Sequence, residues 1–513
     1  MLKYQRTKNS IRNTKYGIVY RLINMFGAFL ARTMLIRVLG VEYAGLDGLF
    51  ASILTMLNMA ELGFSSAVVY KLYKPIAEKN EEQVCALLNY YRRVYRTIGL
   101  IVFCIGIAIT PFLNYFVQSD APDGINIRVL YLIYLLNTCL SYWLFAYRTA
   151  LINAHQRNDL ASKVSSITFI AKYTIQILAV VLLHNYYAYV IVVPLTTLLT
   201  NIGTLFITNK YYPQYTCKGN ISASDRKDIR EKIGALLFNK IGVAIINGSD
   251  NIVISTFLGL TVLGIYDSYY YIFNMLHSFF DVFHSSITGG IGNSIITESV
   301  EKNYQLYKRL TFLNAWIVGW CSICLLCLYE PFIKLWVGVE KSFPWQFSIV
   351  MSLYFYLWMI RFITLIFKNA QGLWMEDRFR AITEGVVNLF LNLIMVRIIG
   401  IYGVTISTII AMATISVPWE THVLFSKYFK RSEKEYYIIF LKNVIITLVT
   451  GAITYSLCAG YQGHLILQLL FRGITCIIVP NVIYFLLYRK TDEYSFAIEK
   501  GLNVVDKVLK RRS

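Results

Sequence analysis

Arg21 and Arg32 stand eleven positions apart in an apolar stretch. At about 100° per residue they fall within about 20° of each other on a helix, with Asn24 and Ala28 between them. Guanidiniums are planar forks of N–H donors matched to oxyanions such as phosphate. Two on one face could therefore hold an anion in succession. Acids recur with hydroxyls as well. Residues 61–66 read ELGFSS and residues 281–286 read DVFHSS, both inside apolar runs. Glu61 and Asp281 at matched places, with Asp250, offer groups that orient cations or bind a proton or Na+.

The chain that carries them is greasy. Of 513 residues, 56% are hydrophobic and 15% charged, with mean hydropathy +0.52. Soluble proteins carry about 25% charged residues, so the composition indicates an all-α polytopic membrane protein. The net charge of +20 would suggest nucleic acid in a soluble protein. Here Lys and Arg lie mostly between apolar runs, where membrane orientation accounts for them. Fourteen runs are long enough to span: 16–38, 45–70, 94–118, 127–147, 164–184, 187–208, 234–257, 262–289, 311–336, 344–367, 381–399, 402–426, 437–459 and 465–488. Alternate connections are nearly bare of basic residues, holding Lys341 alone, while the other set is rich in them. That alternation puts both termini in the cytoplasm. The tail, 489–513, reads as an amphipathic surface helix.

The halves repeat. LGVEYAG (39–45) matches LGLTVLG (258–264) at an offset of 219, and one inserted residue then moves the offset to 220. Arg21 meets Lys240, Arg32 meets Asn251, Asp47 meets Asp267, Asn58 meets Ser278, and Glu61 meets Asp281. Spans one and two thus correspond to seven and eight. Six spans is an even number, so the halves share one orientation. This predicts parallel lobes, 1–220 and 221–430, around a central cavity, followed by two further helices over 431–488. Lys240, Asn247 and Asn251 share a face of span seven. Asp267, Asn274, Ser278, Asp281 and Ser285 share one of span eight, and Asp47, Asn58, Glu61 and Ser65 one of span two. An ionised side chain at mid-membrane costs about 3 kcal/mol or more unless it meets water or a partner. The stripes are therefore expected to line the cavity, with Lys172 of span five as a further cation. The structural alternative is that Glu61 and Asp281 pair with Arg21 or Lys240 to hold helices together. Arg361 is within reach of the inner end of its span and expected to snorkel, whereas Arg472 sits mid-span.

Other chemistry is excluded. No Gly-Lys dipeptide occurs, so no phosphate-binding loop of the ATPase type is present. Cys321, Cys324 and Cys327 form C-x2-C-x2-C inside an apolar run, with no second ligand pair nearby in sequence, and read as ordinary thiols. No nucleophile–base pair or metal cluster marks the connections. The reading is of a transporter rather than an enzyme, without a cofactor.

The fourteen spans, IRVLGVEYAGL, ELGFSSAVVYKLYKPIAEKN, EPFIKLWVG (330–338) and RIIGIYGVTISTIIA (397–411) resemble Wzx-type oligosaccharide flippases of the multidrug/oligosaccharidyl-lipid/polysaccharide exporter superfamily. The resemblance implies a bacterial inner-membrane protein that turns undecaprenyl-diphosphate-linked sugar units to the outer face, beside a polysaccharide polymerase and glycosyltransferases. It implies two six-helix lobes with a lipid groove formed by the last two helices. A lipid II flippase and a cation-coupled multidrug antiporter are the alternatives. The site residues come from helical phase: Arg21, Arg32, Lys240 and Lys172 for the diphosphate, with coupling to Na+, H+ or the membrane potential. A single cysteine placed at Asp123 and another at Ser224, in a cysteine-free chain, should label from opposite sides of the membrane; labelling from one side would overturn the topology.

Overall fold

In hydrocarbon every backbone N–H and C=O must find a partner within the chain, which leaves helices as the solution for apolar runs of this length. The computed structural model describes residues 2–61, 64–117, 122–461, 463–496 and 498–499, and among these no strand occurs. Two compact units form, Met1–Asp267 and Ser268–Ser513.

The first unit holds α1 (Leu2–Val38), α2 (Val41–Leu57), a 3-10 turn (Asn58–Glu61), α3 (Phe64–Ala77), α4 (Glu81–Ile109), α5 (Leu113–Phe116), α6 (Ile127–Trp143), α7 (Ala146–Ala154), α8 (Asn158–Leu183), α9 (Tyr186–Tyr211), α10 (Ala223–Leu258) and the start of α11 (Leu260–Thr297). In it α1 packs along α8, α6 and α8 pack on α9, and α10 lies along α2. The second unit takes the rest of α11, then α12 (Val300–Trp336), α13 (Trp345–Ile360), α14 (Phe362–Ala370), α15 (Arg380–Ile399), α16 (Ile401–Ala411), α17 (Val417–Val423), α18 (Lys434–Ala459) and α19 (Leu465–Tyr488), with π-helical turns at Met412–Ser416 and Leu424–Phe429. There α12 packs against α13, α18 and α19.

The connections follow from capping chemistry. Asn80, Asn126, Asn185, Ser222 and Ser299 each accept a backbone N–H from the first turn that follows, supplying orphan donors with a partner. The short HNYY break holds because His184 adopts a left-handed φ of 49° and Asn185 caps α9 at once.

Among the described residues eleven helices are long and apolar enough to cross a membrane, or twelve if α6 and α7, bent by 50°, form one span. The two expected spans outside that set are the second and the eighth. The second is interrupted: α2 has 17 residues and α3 only 14, with the 3-10 turn between them. The eighth, α11, is one unbroken helix of 38 residues and is diluted by the polar stripe noted above. Its GGIGNS segment stays helical, and a Cβ at Gly289, Gly290 or Gly292 would meet nothing within 4 Å, so close packing does not explain those glycines. The expected tail helix lies largely outside the described residues.

Each unit buries a cluster of paired charges. Asp159, fully buried, meets Arg12 Nε at 3.0 Å, Arg157 Nε at 2.9 Å and Lys163 at 3.9 Å. In the second unit Arg361 does not snorkel. It is buried and its Nη1 lies 3.2 Å from Glu420 Oε1, which Arg380 Nε also reaches at 3.3 Å. Arg380 further binds Glu384 at 2.9 Å and Asp377 at 3.1 Å, and Lys368 pairs with Asp377. Three cations thus face three acids. Removing one partner of such a pair costs about 3–5 kcal/mol, since it strands the other charge. Glu420→Ala should therefore lower the thermal midpoint in detergent markedly, while Glu301→Ala, which breaks an exposed pair with Arg431, should leave it near wild type. Equal midpoints would show that the buried network is wet.

Candidate functional site

A closely packed polar region of the first unit lies where the α1–α2 turn meets the α10–α11 turn. Glycine makes the approach possible. A Cβ on Gly45 would collide with the carbonyl oxygen of Leu260, and one on Gly264 would collide with that of Val41. Gly45 and Gly264 are 219 residues apart, as are Val41 and Leu260. The two turns therefore interlock reciprocally, each glycine receiving the other's backbone. Thr261 Oγ1, the repeat mate of Glu42, lies 3.3 Å from Glu42 Oε1 and donates to it.

Side chains cross the seam below the glycines. Arg32 Nη2 donates to the Gly264 carbonyl at 3.4 Å, and its repeat mate Asn251 donates through Nδ2 to the Gly48 carbonyl at 3.4 Å. Asp267 is buried beside Arg32, Asp47 and Asn251. Gly48 leaves room for the Asp267 carboxylate where a Cβ would strike it. Tyr134 donates its hydroxyl to Asp47, and Tyr186 donates to the Tyr43 carbonyl at 3.1 Å. Arg32 retains a buried Nε–H with no hydrogen-bond partner. The guanidinium thus binds a main-chain carbonyl near a buried carboxylate, with one donor unused.

A second layer lies along α1 and α8. Tyr173 donates to Asn24 Oδ1, and its ring occupies the space that Gly27 leaves open. Lys172 Nζ sits 5.4 Å from the Phe169 ring centroid and 5.0 Å from that of Tyr173, a cation over aromatic faces. Asn24 and Lys172 thus converge on one tyrosine.

The lower stripe of the second expected span meets hydroxyls rather than cations. Tyr142 donates to Asn58 at 3.0 Å, Tyr95 to Glu61, and Tyr91 to Ser65 at 3.0 Å. Tyr91 and Tyr95, four residues apart on α4, stack at 4.2 Å. The spacing of these tyrosines was visible in the sequence, but 39 tyrosines hid it. Arg21 and Lys240 are exposed, as are Asn247, Asn274 and Ser278; neither cation enters the Arg32 cluster. Asp250 is buried, with Ser249 Oγ 3.5 Å away. In the second unit Asp281 lies 3.6 Å from His277 Nδ1 on the same helix, and Ser278 bonds the Asn274 carbonyl at 2.8 Å.

The other ends of these helices are also tied. Lys71 on α3 lies 2.6 Å from Asp228 and 3.1 Å from Asp225 at the start of α10. The Asp228 bond, foremost, raises the Lys71 pKa. Burial pushes Asp225 up, but its bonds from Lys71 and Ser222 outweigh that and hold it below the ordinary carboxylate value.

The chain belongs to the polysaccharide biosynthesis protein family, matched over residues 10–288. No curated protein matches it in sequence. The fold is shared with the lipid II flippase MurJ in an inward closed conformation (TM-score 0.67, 16% identity, 93% of this chain and 99% of that one). It is shared too with an inward-facing multidrug resistance MATE family transporter of the MOP superfamily (TM-score 0.64, 15% identity, 80% of this chain and 97% of that one). A MOP superfamily transporter from Pyrococcus furiosus superposes with TM-score 0.54 at 15% identity, over 83% of this chain and 97% of that one. This is a multi-pass membrane protein.

Alanine exceeds glycine in helix propensity by about 1 kcal/mol, so any loosening by Gly45→Ala must come from the collision. With cysteines replacing Glu42 and Thr261, a short bifunctional reagent should cross-link the two turns efficiently. Adding Gly45→Ala or Gly264→Ala should reduce the yield several-fold. Unchanged yield would show that the interlock does not hold the turns together.

Proposed function

We propose that the chain is a flippase that moves oligosaccharide units linked to undecaprenyl diphosphate across the bacterial cytoplasmic membrane, for capsule, O-antigen or another surface polysaccharide. The family match supports the polysaccharide setting, and the fold supports movement by alternating access. The reading keeps fourteen spans with both ends in the cytoplasm and parallel lobes at 1–220 and 221–430. The last two spans, over 431–488, contribute a lipid groove.

The observation that carries the proposal is Arg32, bonded to the Gly264 carbonyl in the neighbourhood of Asp47 and Asp267 with one donor unused. A diphosphate entering from the cytoplasm meets the exposed Arg21 and Lys240 first, with Lys172 nearer the Tyr173 layer. Arg21 and Arg32 lie about 16 Å apart along one helix face, eleven residues at 1.5 Å each, so the anion passes from one to the other. To take Arg32 it must displace the Gly264 carbonyl, a bond that ties α1 to α11. Binding therefore loosens the outer seam, and release lets the carbonyl reclaim Arg32 and close it. Outward movement of negative charge is downhill in an inside-negative cell by about 2.3 kcal/mol per charge per 100 mV, about 4–5 kcal/mol for two charges crossing the full field.

Glu61, Asp281 and Asp250 orient the cations or carry a coupling H+ or Na+. A lipid II flippase shares the fold and the diphosphate, so both lipids belong in the test. In reconstituted vesicles an inside-negative potential should speed outward flipping of undecaprenyl-diphosphate-linked oligosaccharide. Arg32→Lys should keep partial activity, because charge remains. Arg32→Gln should lose most activity and blunt the voltage response. Full flipping by Arg32→Gln with unchanged voltage response would remove the proposal, and preference for lipid II would reassign the substrate.

A further inference from the structure

Three thiols that are far apart in the sequence meet inside the second unit. Cys327 on α12, Cys458 at the end of α18 and Cys476 on α19 are fully buried, and their Sγ atoms all lie within 4.8 Å of one another. Cys324, three residues before Cys327, packs against the same cluster. The C-x2-C-x2-C stretch lacked a second ligand pair in its own neighbourhood. The last two helices supply it.

An independent feature points to the same place. Arg472 stands four residues before Cys476 on α19 and is 6% exposed. Its Nη1 donates to the Cys327 carbonyl at 3.0 Å, while its Nε is buried without a hydrogen-bond partner. Among the described residues no carboxylate pairs with it within 4.0 Å. A guanidinium cannot shed its charge by losing a proton, and a buried cation without a counter-charge is costly. The polar groups gathered beside this one are thiols, which become anions when they bind a metal.

We propose that Cys327, Cys458 and Cys476 bind one soft d10 metal ion, Zn2+ or Cu+, as thiolates, with Cys324 available as a fourth ligand and Arg472 as the counter-charge. Three thiols release three protons as three metal–sulfur bonds form. The product carries a net charge of minus one on Zn2+, which the guanidinium cancels, or minus two on Cu+, of which it offsets half. Zinc–thiolate bonds of about 2.3 Å imply sulfurs about 3.8 Å apart in a tetrahedral site, so the thiols need to close by no more than about 1 Å. No carboxylate or water ligand is required, which suits a dry interior and selects soft ions over Mg2+ or Ca2+. The bound ion would fasten α18 and α19 to α12. The rival account is that these are small apolar side chains packed for shape.

Cd2+ serves as a spectroscopic stand-in. The full chain, purified in detergent, chelated and kept reduced with a phosphine, is titrated with Cd2+ while the ultraviolet thiolate-to-metal band is followed. The expected result is a band saturating at one equivalent, with proton release. Cys458→Ser and Cys476→Ser should abolish it, Cys104→Ser should leave it intact, and Arg472→Gln should weaken binding about 10–100-fold, as changes behind metal ligands do. A wild-type chain with no saturable band overturns the proposal without recourse to any variant. So does a band that survives both Cys458→Ser and Cys476→Ser.

Discussion

A charge placed among apolar helices is stabilised when another charge meets it, and this constraint fixes much of the architecture. Asp159 is fully buried, yet it meets three cations brought from α1, the α7–α8 connection and α8. In the second unit, Lys368, Arg361 and Arg380 face Asp377, Glu384 and Glu420 across α13, α14, α15 and α17. An unmatched charge in either place would cost several kcal/mol, comparable with the total stability of many domains. Helices that carry these residues have little freedom in register, because a slip of one turn parts the pairs. Apolar packing fills the space around such networks but is far more tolerant of exchange.

The seam in the first unit obeys the same constraint and adds a steric one. Arg32 lies near Asp47 and Asp267, and Gly45, Gly48 and Gly264 let the two turns come close. On the proposed function the site would have two arrangements, one closed as described and one open around a ligand, as a switching element requires.

Sequence reasoning reached the helices more readily than their neighbours. Apolar length, asparagine and serine caps, and the alternation of basic connections all leave local marks, so the element order was legible. The repeat also was, because matched turns keep their glycines. Periodicity says which residues share a face but not what the face touches. Glu61 was expected to meet a cation or a cavity, and its bond from Tyr95 is a contact that periodicity could not name. Arg361 was expected to reach the membrane surface and is tied to Glu420, 59 residues away. The buried thiols read as ordinary because their partners arrive from helices more than a hundred residues downstream. The two expected spans that fall outside the apolar set, α2 with α3 and α11, carry the residues of the seam, and their polar side chains dilute the hydrophobic signal.

The glycine interlock has a genetic corollary. Gly27 faces the Tyr173 ring and Gly106 faces the Leu135 side chain, so an alanine at either can be relieved by trimming the opposing residue. Gly45 and Gly264 face carbonyl oxygens, which no codon can shorten. Intragenic suppressors of a substitution there cannot arise by complementary carving at the point of impact. They must instead fall at a distance, in changes that shift the balance between closed and open arrangements. The spatial distribution of suppressors would therefore separate glycines that make room for a side chain from glycines that make room for the main chain itself.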